Sequence, residues 1–453
     1  MKKILTTAFF SVAVMHFAQT ADPNNFAMTI NSGQTVTLDA TKTYKLTGAV
    51  IVNNGGQLII PAGTKIVSTG GTSSYVAVAQ GGKIFSNGTP TNPVIFTSGA
   101  AAPEKGDWGG IVICGRAPIN IGKTGTSEVA TLPYGGEDPA DNSGSITYTQ
   151  INWSGARFSE TKEYNGLSLF GVGNGTTING VAVINGADDG IEFFGGTVNV
   201  SNIVSINNDD DAFDWTEGWS GTATNIYGRR IDGAVGNRGM EADNNANNYS
   251  AGPISNPTIK NATFIGYKTT DNEGAGTNLF RVGSRGTLDN LVLAGWADAI
   301  TLQHDETLNW FNGKGKFTNV RFEDVTRKAI TKSTAGATAN AAIGTFTENP
   351  NATGAGAGLF LPDWAKGWSG YDEFLATTET VKNAAIKVVA DAAELRIVSD
   401  EKISQIDVIE MSGRSVLKSN RTTANISTLK PGTYIVTARA ADGELFVSKF
   451  IKK

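Results

Sequence analysis

The chain has 453 residues, 55 of them Gly and only 17% charged, with a formal net charge of −5. A single Cys and two His exclude internal disulfides, Cys-built zinc sites, CxxC redox chemistry and any site needing several histidines. The excess of acid lies before Ala393, and an acidic body repels phosphate backbones, so nucleic acid is not an expected partner.

Met1-Lys2-Lys3 gives a basic start, an apolar run follows from Ile4 to Phe17, and small residues surround Ala18 to Ala21. This is the layout of a secretory signal peptide, assigned to residues 1–20. The run is short and interrupted by Thr6, Thr7 and Ser11, and no other segment is long and apolar enough for a transmembrane helix. The protein is therefore expected to be exported, either secreted or held at the cell surface.

From Phe26 to about Phe360 short β-type runs alternate with Gly, Asn, Asp and Thr, as in Gly180-Val-Ala-Val-Ile184 and Asn290-Leu-Val-Leu-Ala294. The runs repeat. Ala187-Asp-Asp-Gly-Ile-Glu-Phe-Phe194 aligns with Asp209-Asp-Asp-Ala-Phe-Asp-Trp-Thr216, setting Glu192 against Asp214 and Phe193 against Trp215. Gly166-Leu-Ser-Leu169 matches one repeat earlier, Gly239-Met-Glu-Ala242 one later, and Ala299-Ile-Thr-Leu302 further on. A period of roughly 22 to 27 residues with β-type content predicts a right-handed parallel β-helix over residues 21–365. A β-propeller, whose blades need about 40 residues or more, does not fit that period. Strand alternation then turns Leu167, Leu169, Ile191, Phe193, Phe213 and Trp215 inward, and Ser168, Glu192, Asp214 and Glu241 outward in one column.

Residues 331–358, rich in Ala, Thr, Gly and Asn, read as a long loop at the end of the solenoid. Residues 366–392 read as a linker that could include a short helix after Glu373. From residue 393 to 453 the character changes to alternating strands of a small β-sandwich, so the fold class is all-β throughout.

Ile406-Asp-Val-Ile-Glu-Met-Ser-Gly-Arg-Ser-Val416, Ile426-Ser-Thr-Leu-Lys-Pro-Gly-Thr-Tyr-Ile-Val436 and the ending Lys449-Phe-Ile-Lys-Lys453 resemble the C-terminal sorting domain of type IX secretion cargo. The resemblance departs at its start, where Ala390-Asp-Ala-Ala393 stands in place of the common Asn-Pro. It implies handling by the type IX machinery, passage across the outer membrane, and release or surface attachment. In the body, Gly106-Asp-Trp-Gly-Gly-Ile-Val-Ile-Cys-Gly-Arg-Ala-Pro-Ile-Asn120, Tyr134-Gly-Gly-Glu-Asp-Pro139 and the run Asn165 to Trp215 resemble secreted, pectin-lyase-like β-helix proteins that carry such tails. That resemblance implies fold and location and supplies no catalytic residues.

The candidate site is acidic. Asp188, Asp189, Glu192, Asp210, Asp211, Asp214 and Glu241 gather on one column and the turn beside it. Carboxylates stacked at strand spacing repel, so they need a cation, an Arg partner or protons. Ca²⁺ takes six to eight oxygen ligands and is the cofactor that such a set would hold, although the spacing is not that of an EF-hand. Arg229, Arg230 and Arg238 could neutralise the column instead, and Asp and Asn could simply hold successive turns through backbone hydrogen bonds. Trp219, Trp296 and Trp310 are candidates to stack on sugars if exposed, or to fill coil interiors if not. His304 beside Asp305 could be a general base or an ordinary surface residue. Gly115 to Thr124 lacks the first Gly of a phosphate loop, and Cys114 reads as core.

These features lead to a binding or adhesion module for glycan or protein surfaces. A Ca²⁺-assisted polysaccharide lyase or hydrolase and a structural envelope component are the alternatives.

Overall fold

A strand with one apolar side cannot bury it alone, so coils that repeat the same alternation stack and seal a common interior. In the computed structural model, 26 strands form one continuous and almost wholly parallel system, followed by small antiparallel sheets. The structure describes residues 17–159, 162–231, 238–267, 276–371, 386–390, 393–399, 402–410, 414–440 and 445–452. Most of the expected signal peptide lies outside these residues; its end, Phe17–Gln19, pairs parallel to Gln34–Val36.

Each coil contributes to three ladders. Sheet I includes Gln34–Thr37, Gln57–Pro61 and Lys83–Asn87. Sheet II includes Val76–Val78, Ile111–Cys114, Leu167–Phe170, Ile191–Phe194, Phe213–Thr216 and Met240–Ala242. Later coils use long strands such as Thr177–Ile184, Val200–Ile206, Thr222–Arg229 and Thr258–Ile265, whose first half lies in sheet I and whose second half forms sheet III.

The bend inside those long strands demands a left-handed residue. Gly180 serves at φ 78°, and Asn202, Asn225, Asn261 and Asn290 at φ 56–60°. Asn tolerates that conformation better than other residues with a Cβ. Stacking puts each Asn beside the next, so Asn202 Nδ2 donates to Asn179 Oδ1 at 2.7 Å and Asn225 Nδ2 to Asn202 Oδ1 at 3.0 Å. The column continues through Asn261 to Asn225 at 3.1 Å and Asn290 to Asn261 at 2.9 Å.

The inward residues are those the alternation predicts. Leu167, Leu169, Ile191, Phe193, Phe213 and Trp215 are sealed in the main core. The outer face of sheet II is not bare in the early coils. Val129, Tyr134 and Tyr164, from excursions between its strands, pack with Cys114, Phe170 and Phe194 there.

The end of the solenoid differs from the expected loop. Ile330–Lys332 forms a hairpin with Thr338–Asn340, and Phe346–Glu348 adds a last strand to sheet I. Ile330 and Thr331 are buried and Phe346 packs against the main core, while Thr338–Asn340 is exposed and held by backbone pairing. The chain then turns back as a strap over the outer face of sheet III. Thr353 N donates to Asn290 Oδ1 at 3.0 Å, Ala355 N to Thr263 Oγ1 at 3.0 Å, and Tyr227 Oη to Leu359 O at 3.1 Å. Gln150 Nε2 reaches Trp368 O at 2.7 Å, and Leu361, Ala365, Trp368 and Tyr371 pack on Ala182, Val204 and Tyr227. Packing thus carries the body to Tyr371. It also carries the tail back to Ile386, because Ile386–Ala390 is a strand paired with Glu394–Ser399. The short helix expected after Glu373 falls mostly outside the described residues.

In the tail, Ile386–Ala390, Glu394–Ser399 and Thr423–Asn425 form one antiparallel sheet. Ile403–Glu410, Ser415–Ser419, Gly432–Ala440 and Leu445–Lys452 form the other. Leu395, Ile397, Ile406, Val408, Ala424, Val436 and Phe446 share one core.

Candidate functional site on the acidic face

Sheet II sets its outward residues in register: Ser168 beside Glu192, Glu192 beside Asp214, and Asp214 beside Glu241. The turns preceding these strands fold toward the column and bring further carboxylates. Asp188, Asp189 and Asp210 form one triad, Asp189, Glu192 and Asp214 a second, and Asp211, Asp214 and Glu241 a third; within each, an oxygen from every residue lies within 4.8 Å of the others. All seven acids singled out in the sequence fall in these three interlocking groups.

They are not equally compensated. Arg238 and Arg281 both pair with Glu241, and Arg281 Nε also meets Asp243 Oδ1 at 2.8 Å. Arg238 Nη1 lies 3.5 Å from Asp211 Oδ2. Asp211 and Glu241 of the third triad are thereby compensated. Of the three arginines named for neutralisation, Arg238 pairs with the column, while Arg229 ends a sheet III strand and Arg230 follows it. The turn role is also present: Asp189 Oδ1 accepts from Asp211 N at 2.8 Å, and Asp211 Oδ1 from Arg238 N at 2.6 Å. Glu192 Oε2 accepts from Asn165 Nδ2 at 2.6 Å. Asp214 stands apart: its Oδ1 is buried with no hydrogen-bond partner.

Burial sets the electrostatics. Desolvation first, then the charges of Asp188, Asp214 and Asp210, holds the Asp189 carboxyl well above the usual range. Glu192 is raised by burial and then by Asp189, and Asp214 by burial and then by Glu192 and Glu241. Asp188 is pushed up to about 8 by burial and by Asp210. Burial and mutual repulsion thus favour the protonated form of each group, or a cation in the protons' place.

The walls add groups that the repeat does not reveal. On one side Tyr134 Oη donates to Glu217 Oε2 at 2.6 Å, and burial raises the Glu217 carboxyl to about 7. Half-buried Glu128 adds negative charge toward Glu192 and Glu217. On the other side Asp243 is raised to about 6 by burial, against the pull of Arg281. His304 Nδ1 accepts from Val282 N at 3.1 Å, and burial followed by the Arg281 charge lowers its pKa. The Val282 amide already engages the accepting nitrogen of His304, which does not suit a general base.

The fold agrees with what comparison finds. A family model described as a pectate-lyase-like β-helix domain matches residues 29–369. The chain belongs to the pectate-lyase-like β-helix family. A second model, a secretion system C-terminal sorting domain, matches residues 391–453. This β-helix protein is therefore type IX secretion cargo, secreted or held at the cell surface, and no described helix is long and apolar enough to cross a membrane. No curated protein matches the chain. Among solved structures, it is similar to the full-length tailspike protein 2 of Escherichia coli O157:H7 bacteriophage CAB120, at 10% identity and a TM-score of 0.17. The match covers 89% of this chain, which spans 64% of that tailspike's length.

The aromatic candidates require correction. Trp219 is fully buried and stacks on Phe193 at 4.0 Å, with its Nε1 donating to Val198 O at 3.0 Å. Trp296 is buried likewise and donates to Phe264 O at 3.0 Å. Neither presents a ring to a ligand, because the coil interior takes the largest apolar faces and supplies backbone carbonyls for the indole N–H. Only Trp310 of the three is half-buried at the surface. Cys114 is core, its thiol pushed up to about 12 by burial.

Sequence reading passed over Asn165, Glu128, Glu217, Tyr134 and Asp243. Asp243 had a signal, standing two residues after Glu241, where strand alternation returns to the same face. Asn165 and Glu217 flank column strands in turns outside the alternation, and Glu128 and Tyr134 come from an excursion earlier in the chain.

Proposed function

We propose that this exported β-helix protein is a cation-dependent binding module for a glycan or protein surface. A divalent cation of the Ca²⁺ class is held by Asp189, Glu192 and Asp214. The observation that carries this reading is the buried, unpartnered Oδ1 of Asp214, beside Asp189 and Glu192, which form no salt bridge among the described residues. The donor set is all oxygen, and a 4.8 Å span suits ligands placed about 2.3–2.6 Å from one ion. Three carboxyls fill only part of a shell of six to eight, which leaves positions for oxygens of the bound surface. When bound, the ion supplies charge neutralisation and a bridge. The protein fixes its place through Asn165 on Glu192 and through the Asp211 amide on Asp189.

The test is calorimetric titration of the full chain with Ca²⁺ at pH 8, beside unfolding scans in Ca²⁺ and in EDTA. A saturable heat is expected, with a rise in Tm corresponding to about 2.7 kcal/mol at a hundredfold excess over Kd. Both should vanish in Asp214→Asn. No heat in the unaltered chain, or an unchanged response in the variant, overturns the cation reading. Binding to a panel of glycans and to cell surfaces, with and without Ca²⁺, tests the rest. Release of reducing ends from any of those polymers would replace the binding module with a lyase or hydrolase.

A further inference from the structure

Away from the carboxylate column, the surface around Trp310 carries a cluster of opposite character. Residues 281–286 form a turn pinned to the helix Asp305–Phe311: Gly283 N donates to Thr307 Oγ1 at 3.0 Å, and Trp310 Nε1 to Gly286 O at 2.9 Å. The indole is thereby fixed. The Arg285 guanidinium lies 5.0 Å from its ring centroid and the Lys316 ammonium 4.3 Å. Arg285 is itself anchored, its backbone N donating to Ser255 O at 2.8 Å.

Among the described residues neither Arg285 nor Lys316 forms an ion pair, and neither does exposed Lys314 nearby in the chain. Glu306, one helical turn before Trp310, is exposed and pairs with neither. In a chain with 42 acids against 37 bases, two cations gathered on one ring with no carboxylate run against composition. The ring's negative face offsets part of their mutual repulsion, and an oxyanion set between them would offset more. A neutral sugar gains little from a ring already occupied by cations.

We infer that Arg285 and Lys316, held on Trp310, form an anion-recognising patch for a polymer bearing sulfate or carboxylate groups. The patch is independent of the cation site and stands if that site fails. Contact is made through the guanidinium fork and the ammonium, with Trp310 as the rigid floor.

The test measures binding of the full chain to dextran sulfate, carboxymethyl dextran and plain dextran, which share a backbone and differ in charge. At low salt the anionic polymers bind and plain dextran does not. Arg285→Gln with Lys316→Gln weakens that binding about tenfold. Lys65→Gln with Lys83→Gln, the same change in net charge in early coils, leaves it nearly intact. Loss on the sulfated polymer alone, or on the carboxylated one alone, assigns the group recognised. Equal loss in the two double variants, or no binding to either anionic polymer, overturns the proposal. Matching unfolding midpoints among the variants exclude misfolding as the cause.

Discussion

Two outward columns climb the same solenoid and solve the same stacking problem differently. At the bend between sheets I and III, asparagines stack, and each amide has both a donor and an acceptor, so every residue satisfies its neighbour. On sheet II, carboxyls stack at the same coil spacing, and an ionised carboxylate has only acceptors. That column is completed only by importing partners: Arg238 and Arg281 at Glu241, Asn165 at Glu192, and none at Asp214 Oδ1. A ladder that satisfies itself is architecture. A ladder that does not is where the fold has room for a ligand.

The contrast is sharpest within the acidic column, where neighbours should respond with opposite sign. Glu241→Gln removes one side of a buried ion-pair group and leaves two arginines short of a partner, so a loss of about 3–5 kcal/mol is expected in urea unfolding. Asn225→Ala breaks the amide ladder on both sides and puts Ala at φ 60°, an expected loss of about 3 kcal/mol. Asn225→Gly, which relieves the backbone, should lose clearly less; equal losses would remove the conformational part of the argument.

Asp214→Asn should move the other way. In EDTA it replaces a buried, unpartnered carboxyl, costly to ionise beside Glu192 and Glu241, with a neutral amide that supplies a donor, so a gain of about 1–2 kcal/mol is expected. A destabilised variant would mean that Asp214 already has a partner. The pH profile is the mildest test. Asp188 titrates at about 8 in the fold against 3.8 in the unfolded chain, so the native state binds more protons across that interval. Its contribution is fully present below pH 4 and is lost as pH rises toward 8. Metal-free protein should therefore lose Tm between pH 5 and 8, and Ca²⁺ should restore most at the upper end. A flat difference between Ca²⁺ and EDTA scans over that interval would count against cation binding on this face.

The alternation in Gly190-Ile-Glu-Phe193 and Ala212-Phe-Asp-Trp215 determined the coil, its inward aromatics and the outward acidic column, because strand alternation and coil spacing are local properties. The order of motifs from Ile406 to the end likewise determined the tail and its destination. Tertiary structure alone decided what lies over each face. It buried Asp189 and Asp211 in the turns before their strands, placed Arg281 from a later coil against Glu241, and buried Trp219 and Trp296 while leaving Trp310 at the surface. It also laid residues 353–371 back across sheet III, where a loop and linker had been expected. Burial and ion pairing depend on segments dozens to hundreds of residues apart, and no local period carries that information.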